Sequence, residues 1–264
     1  MPRRKIKISP KAKNAYIIFA SVLIIAYLVN GYILGLGNLK FASEAESIFM
    51  ESEKYWKATD LVNGGSIDLA KDDEFFKKMN SVSKDSLKTM ESFKPPKRGL
   101  ALQKELKEYF EISDEISANS LAISDYVQKV QKVNKDMETA GASGTDPLGD
   151  LEKWRVMIGE DLQVVNKADP KPSFKKTNEA LLKDLENISV KLDDLIRAIK
   201  EKNQDNVKKA TEDIGILKFE SVSPTSTEIL EDIISPQKLN GFRDLDVRIK
   251  SSIKSLKRSR LVLF

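Results

Sequence analysis

The 264-residue chain contains no cysteine and no histidine. Without cysteine no disulfide can brace it, so an exported part is held by its core alone. Thiol nucleophiles are excluded, and so are Ser-His-Asp and Cys-His arrangements. Zinc sites built from Cys and His, di-iron bundles built on Glu-x-x-His and haem with an axial His are excluded as well. What survives is carboxylate chemistry: hard-cation binding, or acid–base work by paired Asp and Glu. No spacing in the chain identifies a catalytic pair. Asp72-Asp73-Glu74 lacks the alternating ligand positions of a calcium loop, and acids early in a helix are expected from its dipole. The expectation is therefore a non-enzymatic protein with no cofactor and no metal.

Charge is missing from one long stretch. Between Lys13 and Lys40 no side chain is ionisable at neutral pH, and the run opens Ala15-Tyr-Ile-Ile-Phe-Ala-Ser-Val-Leu-Ile-Ile-Ala-Tyr-Leu-Val29. About 20 apolar residues in an α-helix cross ~30 Å of hydrocarbon, with every backbone polar group satisfied internally. Residues 14–39 are accordingly read as a transmembrane helix. Arg3, Arg4, Lys5, Lys7, Lys11 and Lys13 precede it, while Lys40 and then Glu44, Glu46, Glu51 and Glu53 follow. Basic short flanks stay inside, so residues 1–13 are expected in the cytoplasm and the rest outside the plasma membrane, as a single-pass signal-anchor. Tyr16 and Tyr32 suit the two interfaces. A cleaved signal ending near Gly35-Leu36-Gly37 is the competing reading. The apolar region exceeds the ~7–15 residues of a signal core, which favours retention. Gly31-x-x-x-Gly35 has the spacing that lets two membrane helices approach, so these glycines are candidates for dimerisation.

A basic excess is also missing once the flank is set aside. Six of the 44 basic residues precede the span and none of the 40 acidic ones do, leaving 38 against 40. General nucleic-acid binding is not implied. With 41% hydrophobic residues, a packed core is expected rather than disorder.

Strand signals are absent too: there is no sustained period-2 alternation and no hairpin dipeptide between β-branched runs. Beyond the span the chain reads as consecutive helices. The first runs from Phe41 to Val62 and ends at Asn63-Gly64-Gly65; the second runs from about Ser66 to Phe93 and ends at Lys94-Pro95-Pro96-Lys97. Leu102, Leu106, Tyr109, Ile112, Ile116, Ile123, Val127, Val130, Val133 and Met137 form one long stripe, interrupted only at Asn119/Ser120, which suits a long bundle or coiled coil. Residues 139–146 form a small, polar linker. Asp146-Pro147 restarts a helix as cap and first residue, and Asp169-Pro170 breaks it. Leu181, Leu185, Ile188, Leu192, Leu195 and Ile199 make another stripe; Asn203–Asp205 is a turn or kink before a short helix with Val207, Ala210 and Ile214. Thr225 and Glu228 stand at capping-box spacing. Ser235-Pro236 stops that helix, and Leu239 to Leu256 mark the last one.

The fold class is all-α: an N-terminal transmembrane helix and an extracytoplasmic antiparallel bundle. Two stacked subdomains, 40–138 and 147–264, are as consistent as one bundle. The C-terminus carries Arg248, Lys250, Lys254, Lys257, Arg258 and Arg260, with no acid after Asp246. Such a helix can meet an anionic membrane or an acidic partner, although a solvated basic face on a bundle helix is the plainer account. Trp56, Trp154, Tyr109 and Tyr126 could line a pocket but fit a core better. Asn187-Ile-Ser189 is a glycosylation sequon placed mid-helix. The expected function is protein–protein interaction, as a cell-envelope scaffold, adhesion or assembly component, with a protein partner or a second copy. A small-ligand-binding or sensory bundle working through a separate membrane partner is the alternative, and its ligand is not legible.

Overall fold

A computed structural model describes residues 10–58, 73–139, 146–215 and 223–258. Among the described residues every regular element is helical and none is a strand. The α-helices are α1 (Pro10–Ala58), α2 (Asp73–Ser92), α3 (Leu100–Thr139), α4 (Pro147–Asn166), α5 (Lys175–Lys200), α6 (Gln204–Gly215), α7 (Ser226–Ile233) and α8 (Pro236–Arg258). Short 3-10 turns at Lys97–Gly99 and Pro172–Phe174 lead into α3 and α5.

One boundary differs from the sequence reading. The expected membrane helix and the helix expected from Phe41 are a single unbroken α1 of 49 residues. Gly31, Gly35 and Gly37 lie inside it. Each such glycine costs a helix only about 1 kcal/mol, and no proline stands between the two halves. The expected stop at Asn63-Gly64-Gly65 lies outside the described residues, as do most of the 139–146 linker and the residues from Ser66 to Asp72.

The remaining signals act at the ends they mark. The Asp146 carboxylate accepts from the Gly149 N–H at 3.1 Å, with Pro147 as the first helical residue. The Glu228 N–H donates to Thr225 Oγ1 at 3.3 Å and the Thr225 N–H donates to Glu228 Oε2 at 2.8 Å, which completes the capping box. α5 ends with Lys202 at φ 54°, where the N–H groups of Lys202 and Asn203 reach back to the carbonyls of Ile199 and Ala198. Pro236 does stop α7, but it also opens α8: the Lys238 N–H donates to Ser235 Oγ at 3.4 Å.

The chain divides into two compact units, each made of non-consecutive segments: residues 1–56, 82–112 and 240–264 in one, and 57–81 and 113–239 in the other. This is a different division from the consecutive segments 40–138 and 147–264. Unit 1 buries Phe41, Ala45, Phe49 and Trp56 of α1, Leu102, Leu106, Tyr109 and Phe110 of α3, and Phe242, Leu245, Ile249 and Ile253 of α8. Tyr109 and Phe242 stack at 4.6 Å between ring centroids; Phe49 meets Tyr109 at 5.1 Å and Trp56 meets Phe242 edge-on at 5.2 Å. Unit 2 packs an aliphatic cluster of Val133 of α3, Ile158 and Val165 of α4, and Leu181, Leu185, Ile188 and Leu192 of α5, and buries Phe76, Tyr126 and Phe174 besides. Along α3, Ser113, Ser117, Ser120 and Ser124 are fully buried at helical spacing. Ser120 therefore continues the buried face that a purely apolar stripe reads as interrupted. The Ser117 hydroxyl is satisfied by the Ser113 carbonyl at 2.9 Å.

Candidate functional site

The first feature of interest is the surface of α1. From Val22 to Leu39 its large apolar side chains, including Leu23, Ile24, Ile25, Tyr32, Ile33 and Leu36, are exposed. Soluble surfaces do not carry a continuous apolar sleeve of this kind. The helix is long and apolar enough to cross a membrane. Past Lys40 the same helix switches to burial on one side, through Phe41, Ala42, Ala45, Phe49 and Trp56. Gly31 and Gly35 are buried and share a face with Asn38, Ala42 and Ala45. The glycine pair thus lies in register with the face that packs into unit 1.

Two segments distant in sequence converge where α1 enters that core. One is the turn between α2 and α3. The Phe93 ring sits edge-on to Phe41 at 6.0 Å. At Gly99 a Cβ would fall 2.8 Å from the Phe41 ring, so only glycine allows this approach. The Gln103 amide closes the turn by donating to the Met90 and Phe93 carbonyls at 3.2 and 3.4 Å. Lys94, Lys97 and Arg98 project from the turn and are exposed.

The other is the C-terminal end of α8, which runs antiparallel to α1. Lys250 pairs with Glu53 at 2.7 Å and Lys257 pairs with Glu46. Between the helices lies an open groove of about 360 Å³, floored by Phe49, Met50 and Ile253 and rimmed by Lys250, Lys254, Lys257 and Arg258, with Glu46 as its single acid. Burial presses the Lys250 ammonium towards neutrality, but the carboxylates of Asp246 and Glu53 outweigh it and hold its pKa above the usual lysine value. Its ammonium also lies 5.9 Å from the Phe49 ring centroid.

The basic residues singled out in the sequence therefore have two fates. Arg248 reaches Glu105 at 4.0 Å, Lys250 pairs with Glu53 and Asp246, and Lys257 pairs with Glu46, so these hold α8 to its neighbours. Lys254 and Arg258 are exposed and have no acidic partner among the described residues. Arg260 lies outside those residues. Lys94, Lys97 and Arg98 were not singled out, because nothing in their local pattern ties them to residues 254–258.

The four aromatics, which fit a core better than a pocket wall in the sequence, pack as core residues. Tyr109 and Trp56 belong to the unit 1 core, and burial raises the Tyr109 phenol well above its ordinary pKa. Tyr126 packs on Phe174 at 5.2 Å, and burial pushes its pKa up to about 12. Trp154 packs half-buried against the aliphatic core of unit 2. Asp73 pairs with Lys77 at 2.5 Å, and among the described residues no group of three acids could hold a metal. Asn187 is exposed on α5. A groove of about 270 Å³ between α5 and α6 is lined by charges of both signs, with Lys191 and Asp213 paired at 3.0 Å across it. Unit 2 also holds a fully buried acid, Asp161, whose nearest cation is Lys132 at 3.5 Å. Burial raises its carboxyl pKa, against the pull of Lys132.

No family model matches the chain, and neither a curated protein nor a solved structure matches it.

Proposed function

We propose that this chain is a single-pass membrane protein whose helical units lie outside the cytoplasm and act by binding a protein partner or a second copy, as a scaffold, adhesion or assembly component of the cell envelope. One observation carries the reading: α1 passes without a break from an exposed apolar sleeve into an aromatic core. A sleeve left bare by its own fold calls for lipid. Burial of Phe49 and Trp56 between α3 and α8 makes unit 1 a fixed extension of that helix, which is what a platform requires. The absence of His and Cys from the sequence supports a binding role over a nucleophile-and-base one. The groove between α5 and α6 is mixed in charge and the one between α1 and α8 lies open, so neither gives the apolar enclosure typical of small-ligand sites, which weighs against the sensory alternative.

The lack of cysteine makes the test clean, because any introduced thiol is the only one. In intact cells, a membrane-impermeant maleimide is expected to label Val190→Cys and to label Arg4→Cys only after permeabilisation. The reverse pattern overturns the topology. Photo-crosslinkers at Val156, Val190 and Val247, all exposed, are expected to trap a discrete heavier species at one position or more. A monomer at every position overturns the binding role.

A further inference from the structure

We propose that the end of unit 1 facing the apolar sleeve is a binding site for the phosphate headgroups of anionic lipids. The inference rests on the membrane-anchored reading and adds a partner to it. The height of the site follows from helix geometry. Phe41 is two residues beyond Leu39, or about 3 Å along the axis. The headgroup zone of one leaflet is roughly 5–8 Å deep. The turn seated on Phe41, with Lys94, Lys97 and Arg98, therefore sits at headgroup level. Glu46, which Lys257 meets, is about 10 Å above the sleeve. Arg258 follows Lys257 at that end of the groove and Lys254 lies about one helical turn, ~5 Å, farther from the sleeve; their long side chains can extend towards phosphate while their stems lie on apolar surface.

Cations outnumber acids at this end: Glu44 faces Lys40 at 3.9 Å, Glu46 is taken by Lys257, Glu105 is held by Arg248 and Ser252, and Glu91 is exposed. Lys94, Lys97, Arg98, Lys254 and Arg258 are exposed cations drawn from two segments about 160 positions apart and brought to one end of one unit. They are too far from the span in sequence to weigh in its orientation. Cations at a membrane surface attract anionic lipid with an energy that corresponds to roughly fivefold in affinity for each residue.

The test uses the full chain in detergent with added lipid, read by native mass spectrometry. The chain is expected to retain phosphatidylglycerol over phosphatidylcholine by about tenfold or more. K94Q/K97Q/R98Q and K254Q/R258Q are each expected to cut that preference about fivefold or more, with helicity by circular dichroism unchanged. K208Q/K209Q, an equivalent charge removal in unit 2, is expected to leave it intact. Equal retention of both lipids, or a preference indifferent to K94Q/K97Q/R98Q and K254Q/R258Q, overturns the proposal. Displacement of the lipid by inorganic phosphate at equal concentration overturns it in favour of a free-anion site, and displacement by a polyglutamate peptide overturns it in favour of an acidic protein. Alkaline carbonate extraction separates this outcome from the anchoring itself. A chain released from membranes refutes the anchor, whereas a retained chain with no lipid preference refutes only the headgroup site.

Discussion

Unit 1 and unit 2 solve the same packing problem with different side chains. Unit 2 buries Ile158, Leu185, Ile188 and Leu192, aliphatic residues at regular helical spacing, and staples its surface with pairs such as Lys200–Glu152 at 2.7 Å. Unit 1 concentrates rings: Phe41, Phe49, Trp56, Tyr109, Phe110 and Phe242. An aliphatic stripe buries area without dictating orientation. Rings add offset and edge-on preferences worth about 0.5–1.5 kcal/mol per pair beyond the area they bury. Unit 2 has ring pairs too, Phe75–Phe76 and Tyr126–Phe174, but the unit that receives α1 has more of these oriented contacts. Exposed ion pairs such as Lys129–Asp125 add little in either unit.

The sharpest way to break this contrast is Phe242→Ala. It removes the stacking partner of Tyr109 and the edge partner of Trp56, at an expected cost of about 3–5 kcal/mol. Amide exchange is expected to rise across 41–56, 100–112 and 240–256 and to stay unchanged across 147–200. Leu185→Ala is the counterpart in unit 2. It is expected to cost about 3 kcal/mol, with the exchange pattern reversed. If both variants loosen the whole chain equally, the two units are one cooperative body.

Gly99→Ala sharpens the comparison at the α2–α3 turn. The added methyl meets the buried Phe41 ring, and a cost of about 1–3 kcal/mol is expected. Its readout is the urea midpoint together with faster exchange at Phe41 to Ala45. Asp161→Asn is expected to have the smallest effect, and a stabilising one. Because burial raises the carboxyl pKa, the fold favours the protonated acid. That contribution is fully present below the free-aspartate pKa and is lost as pH rises through the folded value. The variant is therefore expected to be more stable than the parent at pH 7 and to match it near pH 3, read from urea midpoints at the two pH values. A gain of equal size at both pH values would mean that charge burial is not the cause.

Much of the architecture was legible because its signals are local. Asp146-Pro147, the Thr225/Glu228 pair and the prolines at 95, 170 and 236 each act within one turn of helix, and each marks an end in the structure. The stripe from Leu181 to Leu192 was equally clear, since hydrophobic period and buried face coincide on α5. What stayed hidden depended on neighbours. Buried Ser113, Ser117, Ser120 and Ser124 look like surface to any reading that follows apolar residues, yet small side chains suit close helix contact. The merger into one helix was not legible because the uncharged run ends at Lys40, although helical hydrogen bonding carries through that change of surface. The cationic end of unit 1 was half seen. Lys254 and Arg258 fall in a basic run that stands out in the sequence, whereas Lys94, Lys97 and Arg98 are tied to α1 only through Phe93 and Gly99 packing on Phe41.

The seamless shaft of α1 has a mechanical corollary. A helix longer than the local hydrocarbon thickness leans to hide its surplus. On the membrane-anchored reading proposed above, Phe49 and Trp56 clamped among rings leave no swivel between the leaning part and the ring core, so a change in bilayer thickness would become a change in the angle of that core.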